Sequence, residues 1–406
     1  MKMATLLAAL FFLVSGFAYA QECPRPVVLV VGTRPEAIKM LPCYFALKQE
    51  GVSLLLVSTG QHTELLDAVM RLFRVAPDVD FGIGKENQDL FDITLGVLTQ
   101  AKELFQQVQP SLVMVQGDTT SAMAAALAAF YLKIPVAHVE AGLRTTNRHE
   151  PFPEEVNRRL ISLIASYHFA PTAAAAARLM AEGISSQTIF CTGNPGVDAL
   201  YAVQERLHRN ELFPSPELEE TIVKERSLER KLLLLTVHRR ESFDGSLVRI
   251  FRAVRSALEN HPSLAIVYPV HPNPRIQSAL VQAELEKSPR LHRMPPLSYA
   301  DLVYLLERVD GVITDSGGIQ EEAATLHKRV LVVRKETDRP EALDEWSAQM
   351  AGVEEERILE GIRNMLFERK QETRSGPSPY GDGRASLRIA KIVKEVLKEQ
   401  SCIDGF

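Results

Sequence analysis

The stretch DGVITDSGGIQEEA (310–323) joins an apolar run to a helix-like segment through a turn with two adjacent glycines. Ser316, Gly317 and Gly318 let the backbone approach a ligand closely, and the N–H groups that begin a helix favour an anion such as a diphosphate. Glu322, about one helical turn further on, is an acceptor-only carboxylate that suits a pair of ribose hydroxyls. The stretch therefore predicts a nucleotide-diphosphate site that follows a strand. A simpler interpretation, in which the glutamates only complement the helix dipole, fits the first glutamate better than the whole group.

Apolar runs of strand length recur along the chain and alternate with segments of helix length. The first series is VVLVV (27–31), SLLLVS (53–58), SLVMVQ (111–116), PVAHVE (135–140) and TIFCTG (188–193). The second series is LLLLTV (232–237), LAIVYPV (264–270), GVIT (311–314) and RVLVV (329–333). This alternation predicts α/β architecture with βαβ units and parallel sheets, most economically as two domains with a cleft between them. Ligands are expected beyond the carboxyl ends of the strands.

The predicted boundaries follow from these two series. We expect an N-terminal Rossmann-like domain at 21–195, a second Rossmann-like domain that holds the nucleotide at 196–379, and a C-terminal helix and tail at 380–406. Residues 1–20, which have Lys2, an apolar run and small residues at A-x-A spacing, resemble a signal peptide. A mis-assigned start codon or an unusual leader on a cytosolic enzyme would explain the same residues.

Composition narrows the function classes. The chain has 406 residues, is 46% hydrophobic and carries a formal net charge of -5, so it has no overall basic field for nucleic acid or a membrane surface. We expect neither a nucleic-acid partner nor a stable membrane anchor. The four cysteines are widely spaced and predict no metal site, although a Cys23–Cys402 disulfide remains an option after export.

Polar residues follow the first predicted strand in GTRPEAIKM (32–40). Thr33 and Glu36 have the spacing of a capping box, which by itself predicts a well-capped helix. Arg34 and Lys39 are two cations near a helix N-terminus that already favours anions, so this segment is also a candidate phosphate or carboxylate site.

Three carboxylates follow later strands of the first series: Asp118, Glu140 and Glu154. Each alone is most simply a cap or a salt-bridge partner. If they converge on one crevice, they become candidates for general acid and base catalysis.

We expect different surroundings for the charged residues that neighbour these acids in the sequence. Arg144 and Arg158 are near enough in sequence to orient or charge-balance the acids, whereas Glu155 and Arg159 are expected to face solvent.

In the second series, TVHRRESF (236–243) has His238 just after a strand, where an imidazole beside arginines could stabilise an anionic leaving group. A merely basic loop is the alternative. His271 is expected to be structural.

The ordered motifs resemble the bacterial non-hydrolysing UDP-N-acetylglucosamine 2-epimerases from about residue 26 to 398. They are GTRPEAIKM, GDTTSA, HVEAGLRT, PEEVNRR, HRRESF, YPVHPNP, TDSGGIQEEA, a second RPEA (339–342) and PYGDGRAS. The resemblance implies a GT-B-like fold, UDP held mainly by the second domain, no cofactor and no metal, and a homodimer. It also implies interconversion of UDP-GlcNAc and UDP-ManNAc by anti elimination of UDP to 2-acetamidoglucal and re-addition, which would supply activated ManNAc for cell-surface polysaccharides.

The resemblance also implies residue roles. The catalytic residues would be Asp118, Glu140, Glu154 and His238; the substrate and UDP ligands would be Arg34, Lys39, Arg158, Ser316, Gly317, Gly318 and Glu322. Which acid is the base is left open. Family members act in the cytoplasm, which we expect here, with export to the periplasm as the alternative that the leader favours. GNPG (193–196) replaces the family's usual GNT.

Three rival functions remain. The closest is C2 epimerisation of a UDP-2,3-diacetamido-glucuronic acid. A GT-B glycosyltransferase and an inactive nucleotide-sugar binder are more remote, because neither requires the set of carboxylates.

Overall fold

A computed structural model describes residues 25–404 except 62, 86–87, 342, 344–347 and 368–377. The predicted leader and the side chains of the Cys23–Cys402 pair lie outside the described part. No helix among the described residues is long and apolar enough to cross a membrane.

The first half of the chain forms a seven-stranded parallel sheet in the order β3-β2-β1-β4-β5-β6-β7. Its strands are β1 (Val27–Val31), β2 (Leu54–Ser58), β3 (Val79–Asp80), β4 (Leu112–Gln116), β5 (Val136–Val139), β6 (Tyr167–Ala170) and β7 (Ile189–Cys191). The helices of this half are α1 (Arg34–Gln49), α2 (Thr63–Phe73), α3 (Leu90–Val108), α4 (Thr120–Tyr131), α5 (Glu154–Ile164) and α6 (Ala173–Ala181).

The second half forms a six-stranded parallel sheet in the order β10-β9-β8-β11-β12-β13. Its strands are β8 (Lys231–Thr236), β9 (Leu264–Pro269), β10 (Leu291–Met294), β11 (Gly311–Thr314), β12 (Arg329–Val332) and β13 (Ala348–Met350). The remaining helices are α7 (Pro195–His208), α8 (Pro216–Ser227), α9 (Ser246–Asn260), α10 (Pro274–Gln282), α11 (Tyr299–Arg308), α12 (Gly317–Thr325), α13 (Glu355–Phe367) and α14 (Ala385–Asp404).

The local sequence explains where several helices begin. Asp89 and Asp92 form a capping box at the start of α3, so the orphan N–H groups of that helix are satisfied by side chains. The alanines of α4 let it pack closely between α3 and α5. The central strands β1 and β4 are wholly buried, and β8 is buried except for Lys231 at its start. Their mainly apolar sequences are expected for parallel sheets covered by helices on both faces.

The last helix returns to the first half of the molecule. α14 packs on α1, and Ile389 and Val393 enter the same hydrophobic core as that helix. Asp198 of α7 accepts hydrogen bonds from the backbone N–H groups of Ala385 and Ser386, which caps the start of α14. The two sheet units are therefore connected twice, once through α7 and once through the segment before α14.

Each sheet has a point where the strand order reverses, between β1 and β4 in the first and between β8 and β11 in the second. In open parallel sheets the crevice for a ligand lies outside the carboxyl ends of the strands at that point. The residues that follow β1, β4, β8 and β11 are therefore the candidates for a ligand site.

Candidate active site between the two sheets

Glu140 lies just beyond the carboxyl end of β5 and is almost completely buried. Lys39 of α1 and Gln116 of β4 both donate to its Oε2, and the Nη2 of Arg339 donates to its Oε1 over 2.8 Å. Its backbone has a φ of 65°, a left-handed conformation that is uncommon for a residue other than glycine. The side chain is thus fixed at both oxygens, on a backbone turn that such contacts must maintain.

Asp118 follows β4 and pairs with Arg158 of α5. The same guanidinium nitrogen donates to Asp338 of the second half over 3.0 Å. Arg158 is almost fully buried, so its charge is neutralised by partners and not by water. Both predicted residues lie in the cleft.

Glu154, the first residue of α5, lies close enough to Asp118 for their charges to interact. Burial raises the pKa of Glu154, and the negative charge of Asp118 raises it further. Within the described part of the chain its buried Oε2 has no hydrogen-bond partner. A carboxyl group with a raised pKa beside a second carboxylate is a typical arrangement for proton transfer.

Arg339 is the residue that the sequence reasoning missed. It is buried, and its guanidinium contacts Glu140, Asp338 and Glu321, the last over 2.8 Å. The signal was present, because RPEA at 339–342 repeats the RPEA that follows β1 at 34–37. Each copy follows a strand and supplies an arginine to the cleft.

The segment after β1 differs in part from the prediction. Thr33 precedes α1 in an extended conformation, but its side chain makes no capping bond. Glu36 instead accepts from the Gly32 N–H over 3.1 Å and from the Thr119 hydroxyl over 2.7 Å, and burial raises its pKa to about 6. The carboxylate of Glu36 thus occupies the anion position at the start of α1.

The two cations of that segment contact different partners. Lys39 pairs with Glu140, whereas Arg34 donates to the Leu297 carbonyl of the second half over 2.8 Å. Both cations lie at the border between the two halves.

His238 follows β8, and Asp315 follows the neighbouring strand β11. The fully buried Asp315 accepts from the His238 and Arg239 N–H groups, each over 2.8 Å, and its Oδ1 lies 3.3 Å from Nδ1 of His238. The His238 ring stacks on His271, with 5.9 Å between ring centroids. Asp315 therefore holds the backbone of the turn that carries His238, and the His271 ring packs against the imidazole.

The glycine turn begins α12. Ser316 is the N-cap residue, and its own N–H donates to Thr314 over 2.9 Å. A Cβ on Gly317 would lie 2.7 Å from the Cζ of Arg339, so this glycine makes room for the arginine. A Cβ on Gly318 would meet no atom within 4 Å, so only the second glycine faces open space in the manner predicted for ligand approach.

Glu322 is buried and accepts a hydrogen bond from the Tyr299 hydroxyl over 3.0 Å. Burial raises the pKa of Glu322 to about 7, although the Tyr299 hydrogen bond opposes that shift. Its neighbour Glu321 pairs with Arg339 and accepts from the Asn194 amide over 2.7 Å. Glu321 therefore does more than complement the helix dipole.

Two expectations about charged neighbours are wrong. Glu155 does not face solvent: its side chain is fully buried, accepts from the Thr145 N–H over 3.0 Å and lies 3.5 Å from Arg158. Arg144 does not balance the three acids, because its guanidinium binds Glu182 and Ser162. Arg159 is partly exposed, as expected.

The protein is a two-domain α/β protein of GT-B-like fold. Its two parallel sheets face one cleft, and helix starts and ionisable side chains lie at the carboxyl ends of their strands. The family model of UDP-N-acetylglucosamine 2-epimerase matches residues 46–394, and the chain belongs to this family.

Proteins of similar sequence and structure support this family assignment. A UDP-N-acetylglucosamine 2-epimerase of Campylobacter jejuni is 40% identical over 374 residues, which is 91% of this chain and 97% of the relative. The crystal structure of the Neisseria meningitidis UDP-GlcNAc 2-epimerase bound to UDP-GlcNAc matches with a TM-score of 0.84 and 36% identity, over 91% of this chain and 100% of that one. The Methanocaldococcus jannaschii enzyme in complex with UDP-GlcNAc and UDP matches with a TM-score of 0.79 and 31% identity, over 91% and 99% of the two chains.

Proposed function

We propose that the protein catalyses the reversible epimerisation of UDP-N-acetylglucosamine to UDP-N-acetylmannosamine at C2. The observation that carries this proposal is the contact of Arg339 with both Glu140 and Glu321, because it joins the acids of the first sheet to the helix that begins with the glycine turn. Proton-handling groups and a candidate diphosphate site thus border the same cleft. The relatives named above, two of them bound to UDP-GlcNAc, support the substrate.

The proposed reaction begins with anti elimination. The C2 proton has no adjacent carbonyl to acidify it, so its removal requires a positioned base and simultaneous departure of a stabilised leaving group. The base takes the proton, the C1–O bond breaks with its electron pair going to UDP, and 2-acetamidoglucal forms. Delivery of a proton to the opposite face of C2 and return of UDP to C1 complete the epimerisation.

We assign Asp118 and Glu154 to the two proton transfers. Glu154 has an unpartnered oxygen among the described residues and a pKa that burial raises, which suits a group that holds and releases a proton. Glu140 has both oxygens engaged by cations and an amide, so its proposed task is to fix the sugar.

The UDP group is proposed to lie at the start of α12. The N–H groups around Ser316 and Gly318 would meet the phosphates. His238, whose backbone N–H is held by Asp315, would stabilise the charge that develops on the leaving oxygen. Glu322 would accept from the ribose hydroxyls.

Positional isotope exchange tests the elimination. UDP-GlcNAc labelled with ¹⁸O between C1 and the β-phosphorus should move its label into non-bridging positions, seen by ³¹P NMR, or should accumulate UDP and 2-acetamidoglucal. Epimerisation without either result would rule out elimination. No epimerisation would count against the proposed substrate, and the UDP-2,3-diacetamido-glucuronic acid would then be assayed.

We also propose a homodimer that is formed through α3 and α5. Phe91 and Leu95 of α3 and Leu160 and Leu163 of α5 are exposed apolar side chains on one side of the first half. A second copy is the occupant that the family resemblance predicts, and it would remove this apolar surface from water. Because the other side of α5 carries Arg158, association would also support the site.

Sedimentation of a Leu163→Glu variant tests the dimer. The charge should produce a monomer, whereas Val223→Glu, at an exposed apolar position of α8, should leave the dimer intact. A wild-type monomer at micromolar concentration, or a dimeric Leu163→Glu variant, would contradict the proposed interface.

A cytoplasmic site of action is proposed because that is where the substrate of this reaction is made, with ManNAc supply to cell-surface polysaccharides as the consequence. Sequencing the N-terminus of the native protein would test this. A mature chain that begins near residue 21 and is found outside the cytoplasm would support export instead.

A further inference from the structure

Asp338 is a fully buried carboxylate that is surrounded by three arginines. Its Oδ2 accepts from Arg339 and from Nη2 of Arg158, the latter over 3.0 Å, and its Oδ1 lies 3.4 Å from Nη1 of Arg334. Burial alone would raise the pKa of Asp338, but the neighbouring guanidinium groups hold it well below its usual range. The carboxylate therefore stays ionised and acts as a fixed negative charge.

Two of these arginines have a second carboxylate partner in the site. Arg158 also binds Asp118, and Arg339 also binds Glu140 over 2.8 Å. The contacts form a continuous chain in the order Asp118, Arg158, Asp338, Arg339, Glu140. Its two end members and Arg158 come from the first half of the protein, whereas Asp338 and Arg339 follow β12 in the second half.

We propose that Asp338 is a positioning residue for the epimerisation: it fixes Arg158 and Arg339, and through them Asp118 and Glu140, when the two halves are docked. Being fully buried behind the arginines, it is not itself a contact for the substrate. The inference rests on the proposed function for its kinetic consequences. It makes the geometry of the site acids depend on a residue from the opposite domain.

Removing the charge of Asp338 has a definite electrostatic result. In Asp338→Asn the two guanidinium groups lose their shared counterion, and an amide N–H₂ faces one of them as a donor without an acceptor. Arg158 then keeps only Asp118 and Glu155 as carboxylate partners among the described residues, and Arg339 keeps Glu140 and Glu321, so the site acids experience a more positive environment. This lowers the pKa of an acid that must be ionised for turnover.

The experiment is steady-state kinetics of Asp338→Asn from pH 5 to 9, with UDP affinity measured alongside. We expect kcat to fall about 100-fold, the loss typical of a misplacement of about 1 Å, with KM and the Kd of UDP within about threefold of wild type. The acid limb of kcat should move to lower pH. An unchanged kcat and an unchanged pH profile would overturn the proposal.

Glu336→Ala is the matched control. Glu336 also joins the two halves, through a 2.8 Å hydrogen bond from the Thr146 hydroxyl. In the part of the chain that the structure describes, it makes no hydrogen bond or ion pair with a site carboxylate. Its kcat should stay within about twofold of wild type. Equal losses in Glu336→Ala and Asp338→Asn would mean that docking alone matters, and would refute a specific role for Asp338.

A double-mutant cycle with Arg158→Lys keeps the test informative if Asp338→Asn is poorly stable. Lys keeps the charge but lacks the planar guanidinium whose Nη2 lies between Asp118 and Asp338. If Asp338 acts through Arg158, Asp338→Asn should lower kcat by a much smaller factor in the Arg158→Lys background than in wild type. Additive losses of kcat, in free-energy terms, would contradict the proposal.

Crystal structures separate this inference from the proposed function. If wild-type protein shows no exchange at C2, the proposed function fails, but Asp338→Asn should still show displaced Arg158 and Arg339. Unchanged contacts of both arginines with Asp118 and Glu140 would refute the positioning role whatever the activity.

Discussion

The affinity for UDP should increase with pH through neutrality because of one residue, Glu322. Burial raises the pKa of this carboxyl to about 7 in the unliganded protein, although the Tyr299 hydroxyl donates to it and opposes the shift. A pair of ribose hydroxyls needs an acceptor-only partner, so the ionised form is the one that should bind UDP. Binding is then linked to loss of a proton from Glu322.

The pKa sets the size of the effect. With a pKa of about 7, about one tenth of the protein has Glu322 ionised at pH 6 and about nine tenths at pH 8. If only the ionised form binds, the association constant for UDP should rise about tenfold over that interval.

Isothermal titration calorimetry of UDP binding between pH 5.5 and 8.5 measures this change. The phosphate of UDP also titrates near pH 6, so the informative quantity is the difference between wild type and Glu322→Gln. The variant should bind more weakly at pH 8 and should lack the Glu322 contribution to the pH dependence. Tyr299→Phe should move the transition to higher pH, because it removes a hydrogen bond that favours the ionised form. Identical pH profiles for wild type and Glu322→Gln would refute the reasoning.

Three further outcomes are expected. Glu322→Gln should raise the Tm relative to wild type more at pH 8 than at pH 5, and a pH-independent Tm difference would contradict this. The reason is that the buried wild-type carboxyl, with its raised pKa, lowers the free energy of unfolding by at most about 3 kcal/mol as the pH rises from about 4.5 to 7. Gly317→Ala should lower kcat about tenfold by displacing Arg339, whereas Gly318→Ala should keep the Tm and weaken UDP binding. The same Tm and the same kinetics in both variants would contradict the different surroundings of the two glycines. Glu140→Gln should lower the rate of C2 proton exchange, measured by NMR, by about 10²-fold or more, and should keep the UDP affinity measured by calorimetry. A near-normal exchange rate would show that the reaction does not need the Glu140 carboxylate.

The main strands were predictable because each is an uninterrupted apolar run. The run at 264–270 is β9 (Leu264–Pro269), and GVIT (311–314) coincides with β11. The prediction missed β6 (Tyr167–Ala170), an inner strand whose four residues YHFA include a histidine and form no long apolar run. It also missed β3 (Val79–Asp80) and β13 (Ala348–Met350), which lie at sheet edges and are only partly buried. Short edge strands bury too little surface to need a continuous apolar sequence.

The prediction missed β10 (Leu291–Met294) for a similar reason. It is the outermost strand of the second sheet and carries two polar residues between its buried ends. Nothing in LHRM distinguishes such a strand from a loop until its pairing with β9 is known.

The position of a candidate site residue was predictable where that residue directly follows a strand. Asp118 and His238 are of this kind, because their strands lie at the reversal points of the two sheets. Asp338 and Arg339 could not be assigned in this way, since their partners Arg158 and Glu140 are distant in sequence and come from the other half. The burial of Glu155 was missed for a different reason: a helix sequence does not reveal that the Thr145 N–H, from the loop before the helix, supplies a partner.

The central claim is epimerisation with exchange of the C2 proton, and proton NMR of UDP-GlcNAc with the protein in deuterated water tests it most directly. A chain of residues 21–406 should produce UDP-ManNAc and place deuterium at C2 of both sugars, while Asp118→Asn and Glu154→Gln should lower the exchange rate by about 10²-fold or more. Folded, UDP-binding protein that yields neither a second sugar nor deuterium at C2 would contradict the account.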